Sequence, residues 1–287
     1  MTGNSIRCFI ALAILIGAVG TAQALDSGAA DDTFVYRLTL FLHQVLFVFW
    51  LGPDIGVYMW STKATNTELS PAQRISAGRM MQAIELIPRV CMSLMLTVGG
   101  ILTEMMGIQH PWWQMVGIVL LGPIWLTLTI LVYARSGTER GAQLVRLDQL
   151  FRWAVIASVL LSVIYSVTTE RLADVPWVTA KLLIFAAVVY FGLMMRKRLT
   201  PFALALDELE SAGPNPETDR AMSGSVSRAR SFMFAAWIAL AIAAGLGMVQ
   251  PGTTENPQWL ETAGETKRID SCVESLVLPR SAMLYRC

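Results

Sequence analysis

The chain has 287 residues, 54% of them hydrophobic and only 15% charged. Soluble domains carry about 25% charged residues, so water is a poor solvent for most of this chain. The net charge of +1 argues against a nucleic-acid partner, since binding to a polyanion needs a clustered basic surface.

The N-terminus has the pattern of a secretory signal peptide over residues 1–24. Arg7 supplies the positive charge, an apolar stretch follows, and a small-x-small cleavage site ends at Ala24. The alternative is a retained first membrane helix. We therefore expect a signal peptide, a transmembrane helical domain over 25–251 and a polar periplasmic tail over 252–287.

Six further stretches are apolar over about 20 residues, the length that crosses the hydrocarbon core of a bilayer. Each must form a helix, because a backbone in lipid has to satisfy its own hydrogen bonds. The sequence thus predicts an all-α, polytopic transmembrane helix bundle that lies in a lipid bilayer. The predicted spans are 33–60, 84–107, 112–134, 152–170, 176–196 and 231–249.

Basic residues concentrate in alternate connections between these spans. The connections 61–83, 135–152 and 196–230 are rich in Lys and Arg, whereas 108–111 and 171–175 hold one basic residue between them. Because cytoplasmic loops carry the excess of Lys and Arg, the three basic connections are expected in the cytoplasm. This predicts an inner-membrane protein with both mature termini in the periplasm.

Two shorter signals lie inside the basic connections. Ser70 followed by Pro71 is a helix start that leads into the second span. Residues 213–227 are rich in Pro, Gly and Ser and predict a flexible cytoplasmic linker.

Two ionisable residues fall in the outer halves of their spans. Such groups are costly in lipid, so each is a candidate functional position. His43 shares a helix face with Trp50, and its imidazole is either a haem or metal ligand or a structural, proton-handling group. Lys181 follows Trp177 in the fifth span and either serves the same site or snorkels to the interface.

A second set of charges is expected nearer the cytoplasmic side. Asp54 lies on the same face as His43, and Glu85 and Arg89 are four residues apart, so they can pair although Pro88 lies between them. We interpret Asp54, Glu85 and Arg89 as a structural ion-pair cluster, with a transport site as the alternative.

Two polar residues are assigned to the outer surface. Glu104 is close enough to the end of its span to snorkel, and His110 is interpreted as a solvated residue beside two interfacial tryptophans. The fifteen methionines are interpreted as packing groups, and a thioether path for copper is the alternative.

Four short stretches resemble one family of membrane proteins. They are 42–52 with its His, Trp and Gly, 79–99, 176–183 with its Trp-x-x-x-Lys-Leu pattern, and 227–251. The chain resembles the bacterial membrane-embedded protoporphyrinogen IX oxidase and the wider group of copper-resistance protein D-like membrane domains. The oxidase has four spans, so 112–134 and 152–170 are additions.

The resemblance implies a b-type haem near His43, with Trp50 and Lys181 at the cofactor and Lys181 as the candidate catalytic residue. We therefore expect a haem-binding inner-membrane redox protein that oxidises protoporphyrinogen IX and passes electrons to a quinone or another membrane redox partner. The alternatives are a copper or small-solute transport or resistance protein and a non-catalytic accessory subunit of a membrane complex. Homo-oligomerisation is left open, as is enzymatic activity, because no nucleophile–base pair is visible.

Overall fold

The computed structural model describes residues 29–253, with side chains from residue 34 onward. This part of the chain contains helices and turns but no strand. Six helical segments are long and apolar enough to cross a membrane, which confirms the all-α polytopic bundle. The predicted signal peptide and nearly all of the predicted tail lie outside the described residues. The helices are α1 (Ala29–Ala64), α2 (Pro71–Ile84), α3 (Leu86–Met105), α4 (Trp112–Ala134), α5 (Glu139–Thr168), α6 (Pro176–Ala212) and α7 (Pro216–Val249).

The six spans close into a ring. In the order α1, α3, α4, α5, α6 and α7 each helix packs on the next, and α7 packs back on α1. The interior is filled by a core to which α1, α3, α4, α5, α6 and α7 all contribute, with Trp50, Trp125 and Phe185 among its largest side chains. The polar groups described below therefore lie inside a closed apolar ring.

A second core forms at the end of the bundle that holds the connections from α1 to α2, from α4 to α5 and from α6 to α7. We call this end the basic end. There α2 packs on α1, α3 and α6, and Ala77, Phe202, Leu206 and Met222 are almost fully buried. The predicted start of α2 is confirmed, since Ser70 and Gln73 form a reciprocal capping box.

The prediction of a flexible linker over 213–227 is wrong. Gly213, with φ of 83°, ends α6, and α7 begins at Pro216 with Asn215 as its N-cap. Met222 and Val226 are then buried against α6. The small and polar side chains of this segment allow α6 and α7 to pack closely as a helical hairpin.

One side chain of α3 hydrogen-bonds to the backbone of α4. The Thr97 hydroxyl donates to the Ile118 carbonyl at 2.5 Å and accepts from the Gly122 amide at 2.9 Å. These two backbone groups are four residues apart, in the turn before Pro123. The Thr97 hydroxyl therefore ties α3 to α4 inside the bundle.

Candidate functional site

His43 lies on the inner side of α1, against α3. A Cβ atom at Gly99 of α3 would stand 3.2 Å from the His43 Cε1 atom, so the absence of a side chain there makes room for the ring. The Nδ1 atom of His43 is buried and has no hydrogen-bond partner in the described part of the chain. An imidazole in this state is free to act as a ligand or to bind a polar group.

Lys181 lies in the second turn of α6, near the end opposite to the basic end. Its ammonium stands over the Trp177 ring, 5.2 Å from the centroid. It also packs against Gly247 of α7, in the space that a side chain at that position would occupy. Within residues 34–253 it has neither a hydrogen bond nor an ion pair. Its charge is close enough to act on His43, but no hydrogen bond joins these two predicted site residues, and they pack against different helices, α7 and α3.

Trp50 lies one layer deeper than His43. Its ring meets Phe185 of α6 edge to face, with centroids 6.2 Å apart, and Phe185 follows Lys181 by one helical turn. This aromatic contact joins α1 to α6 between the His43–Lys181 pair and a deeper polar cavity that Trp50 also lines. The structure therefore places Trp50 at the floor of the predicted site.

The deeper cavity, which we call the charged cavity, is the meeting point of α1, α3, α5, α6 and α7. Its volume is about 50 Å³, room for a few water molecules at roughly 10–15 Å³ each. It is partly open to its surroundings. Five of its lining residues carry ionisable groups: Asp54, Glu85, Arg89, Arg152 and Arg196.

The predicted pair of Glu85 and Arg89 is confirmed, and the two side chains share a short hydrogen bond. Glu85 lies at the break between α2 and α3, three residues before Pro88. Asp54, the third residue of the predicted cluster, accepts a hydrogen bond from the Trp237 indole of α7 at 2.7 Å and forms no ion pair with Arg89. All three predicted residues nevertheless line the same cavity.

Sequence reasoning missed half of this charge network, because it counted Arg152 and Arg196 as residues of basic loops. Both lie inside helices: Arg152 is 1% exposed, and Asp148 on the same helix is 0% exposed. The Asp148 carboxylate accepts from the Arg152 Nε atom at 2.9 Å and also from Arg196 of α6. The i, i+4 spacing of Asp148 and Arg152 was a signal for this pair.

Two atoms of this network are buried without a partner among the described residues. They are the Asp148 Oδ1 atom and the Arg152 Nη2 atom. The other terminal nitrogen of Arg152 lies 3.8 Å from the Met92 sulfur, and its guanidinium stands 5.3 Å from the centroid of the Trp125 ring. An unpaired donor in so buried a place is costly unless something bound satisfies it.

At the end opposite to the basic end, the prediction of a solvated His110 is wrong. The His110 side chain is only 8% exposed, and its Nδ1 atom lies 2.7 Å from the Glu104 carboxylate. The same carboxylate accepts from the His110 backbone amide at 2.9 Å. Glu104, at the end of α3 with a side chain that is 36% exposed, therefore orders the turn between α3 and α4.

Metal sites built from several side chains are not found in the described residues, since no three His, Cys, Asp or Glu side chains cluster there. Cys91 is buried and free. Met92 and Met195 line the charged cavity together with Arg89, Arg152 and Arg196.

Comparison with models of protein families, with curated proteins and with solved structures finds no match to this chain. The resemblance to membrane-embedded protoporphyrinogen IX oxidases therefore stays a prediction.

Proposed function

We propose that this protein is a haem-binding redox protein of a bacterial-type inner membrane, with His43 as the axial ligand of a b-type haem. The single observation behind the proposal is a buried, unpartnered imidazole inside a transmembrane bundle. The Nδ1 atom of His43 is buried without a hydrogen-bond partner in the described part of the chain, and the charge of Lys181 on α6 is close enough to act on it.

A polar group without a hydrogen-bond partner carries a large free-energy cost where water is scarce. An imidazole and an ammonium in such a place need bound partners, and intramembrane ionisable residues mark functional sites for this reason. The imidazole of His43 and the ammonium of Lys181 both repel a free cation when they are charged. One ligand that carries a metal centre and carboxylates can bind both side chains, the metal to the imidazole and a carboxylate to the ammonium. A haem has both features, so we assign His43 to the iron and Lys181 to a propionate.

The residues around His43 and Lys181 supply aromatic and apolar surfaces that suit a flat aromatic group. Gly99 lets the His43 ring pack closely on α3, Trp177 lies next to Lys181, and Trp50 contacts Phe185 one layer deeper. A bound haem supplies one-electron redox chemistry. His43 would hold its iron, Lys181 would neutralise one of its carboxylates, and Trp50 and Phe185 would help to exclude water.

The wider proposal takes its substrate from the resemblance alone. A porphyrinogen as the electron donor and a quinone as the acceptor are both membrane-soluble, which suits a site that lies between apolar helices. The basic end faces the cytoplasm in this proposal, and both mature termini are periplasmic.

The test is the absorption spectrum of the protein purified in detergent from cells with ample haem. We expect a Soret band in the wild type and in His110→Ala, the other histidine of the chain, but not in His43→Ala. Lys181→Gln is expected to keep the band and to hold haem more weakly. A colourless, monodisperse wild-type protein would defeat the proposal.

A second candidate function is the binding or transport of a small solute, and the charged cavity favours it. Pro53 and Pro88 interrupt the backbone bonding of helices that line this cavity, as transport sites often require. Copper suits the cavity poorly, because Arg89, Arg152 and Arg196 repel a cation more strongly than two thioethers attract it.

A further inference from the structure

Arg230 is an exposed residue of α7 that lies at the level of one membrane surface. It precedes Val249, the end of α7 opposite to the basic end, by about 19 residues, or roughly 28 Å at about 1.5 Å per residue. The hydrocarbon core of a bilayer is about 30 Å thick. Arg230 is therefore expected among the phospholipid headgroups of the leaflet at the basic end.

The Arg230 guanidinium is held against an aromatic ring of a neighbouring helix. It stands over the Tyr58 ring of α1, 5.7 Å from the centroid. In the part of the chain that the structure describes, the guanidinium forms no ion pair, and the Tyr58 hydroxyl has no hydrogen-bond partner. One cation and one further hydrogen-bond donor, each from a different helix, therefore lie close together on the seam between α1 and α7.

Three aromatic rings close this seam on the membrane side of Arg230. The rings of Tyr58, Phe234 and Trp237 contact one another, with centroids 5.2, 5.5 and 5.8 Å apart. The Trp237 indole also donates a hydrogen bond to Asp54 of α1 at 2.7 Å. Tyr58 is half-buried and Phe234 is exposed, so the cluster is anchored on its inner side and open to lipid on its outer side.

An exposed apolar row continues from Arg230 into the membrane. Phe234, Ile238 and Ile242 follow Arg230 at intervals of four residues, and residues with this spacing form one ridge on a helix surface. Their exposed fractions are 40%, 61% and 52%. A cation at headgroup level that leads into an apolar ridge matches the two parts of a phospholipid, which are an anionic phosphate and an acyl chain.

We propose that the seam between α1 and α7 is a binding site for one anionic phospholipid of the leaflet at the basic end. The phosphate binds the Arg230 guanidinium and the Tyr58 hydroxyl, and an acyl chain covers Phe234 and Ile238. A lipid with a net negative charge is preferred, because a zwitterionic headgroup brings a second cation next to Arg230.

This site is separate from the proposed haem ligand. His43 precedes Tyr58 on α1 by about 15 residues, or roughly 22 Å along the helix. The contact between α1 and α7 closes the ring of six spans. A lipid bound across it is therefore expected to stabilise the folded protein, as any ligand of the native state does.

The experiment is native mass spectrometry of the full-length protein in a neutral detergent, which counts bound lipid molecules. Dioleoyl phosphatidylglycerol is titrated, and dioleoyl phosphatidylcholine supplies the same acyl chains without a net charge. Ammonium glycerol 3-phosphate supplies the phosphate without acyl chains, as a competitor. The variants are Arg230→Gln, Arg230→Lys and Tyr58→Phe, and the matched control is Arg228→Gln, at an exposed arginine two residues earlier on α7.

We expect the first phosphatidylglycerol to bind the wild type at least about fivefold more tightly than the first phosphatidylcholine. Arg230→Gln is expected to weaken phosphatidylglycerol binding by about fivefold, the effect of removing one arginine near an anionic membrane surface. Tyr58→Phe keeps the ring but loses the hydroxyl, and it should weaken binding by at least about twofold. Arg230→Lys should keep most of the affinity, and Arg228→Gln should leave it unchanged.

The proposal is overturned if the two lipids bind equally well to the wild type. It is also overturned if Arg228→Gln weakens binding as much as Arg230→Gln, because the basic surface as a whole would then attract the lipid. Displacement of the lipid by an equal concentration of glycerol 3-phosphate would show a site for free phosphate and would contradict the proposal too. None of these outcomes involves the Soret band, so this site and the haem proposal fail separately.

Discussion

Asp148→Asn removes the one carboxylate that serves both Arg152 and Arg196. The amide has nearly the same shape and still accepts one hydrogen bond, so the substitution changes the charge and little else. It leaves Arg152, at 1% exposure, and Arg196, whose side chain is 17% exposed, without their shared counter-ion. Breaking a buried ion pair from one side costs about 3–5 kcal/mol.

That loss is a large part of the total stability of a typical protein, about 5–15 kcal/mol. The assay is reversible unfolding of the purified protein in mixed detergent and dodecyl sulfate micelles. The control is Arg79→Gln, which breaks an ion pair with Asp207 and Glu210 at side chains that are 44–61% exposed; it should cost about 0–1 kcal/mol. If the two variants lose the same stability, the carboxylate does not hold this network together.

Three further predictions concern backbone bonding, the haem pocket and topology. Thr97→Val removes two buried hydrogen bonds between α3 and α4 and should lower the free energy of unfolding by about 1–3 kcal/mol, whereas Thr97→Ser should restore most of it in the same unfolding assay. Gly99→Val pushes against the His43 ring, which packs on Gly99, and should reduce the haem content of purified protein, whereas Gly99→Ala should reduce it less. In a background without other cysteines, Ser136→Cys should react with a membrane-impermeant maleimide only after the cells are opened, and Gln109→Cys should react in intact cells; the reverse pattern would contradict the proposed orientation.

The sequence was sufficient to predict the number of spans, because length and hydropathy are properties of each segment alone. It also predicted the Glu85–Arg89 pair and the capped start of α2, both of which depend on residues three or four positions apart. These are local signals, and they do not require knowledge of which helices are neighbours.

The missed features are those in which tertiary contacts override local composition. Arg196 opens a run of three basic residues, a composition typical of a loop, yet it turns inward to Asp148, 48 positions earlier. The polar start of α7 has the composition of a linker, yet Ser225 is 0% exposed because small side chains let α6 and α7 approach closely. The depths of Lys181 and His43 follow from the sequence, but the sequence does not reveal that Gly247 makes room for Lys181 and Gly99 for His43.

The central claim is that the His43 imidazole is a haem ligand, and chemical rescue tests it most directly. His43→Gly opens a space in which free imidazole is able to replace the missing side chain. We predict that this variant is purified without a Soret band and gains one when haem and millimolar imidazole are added together. A variant that keeps its haem without imidazole, or that stays colourless with it while folded, would contradict the claim.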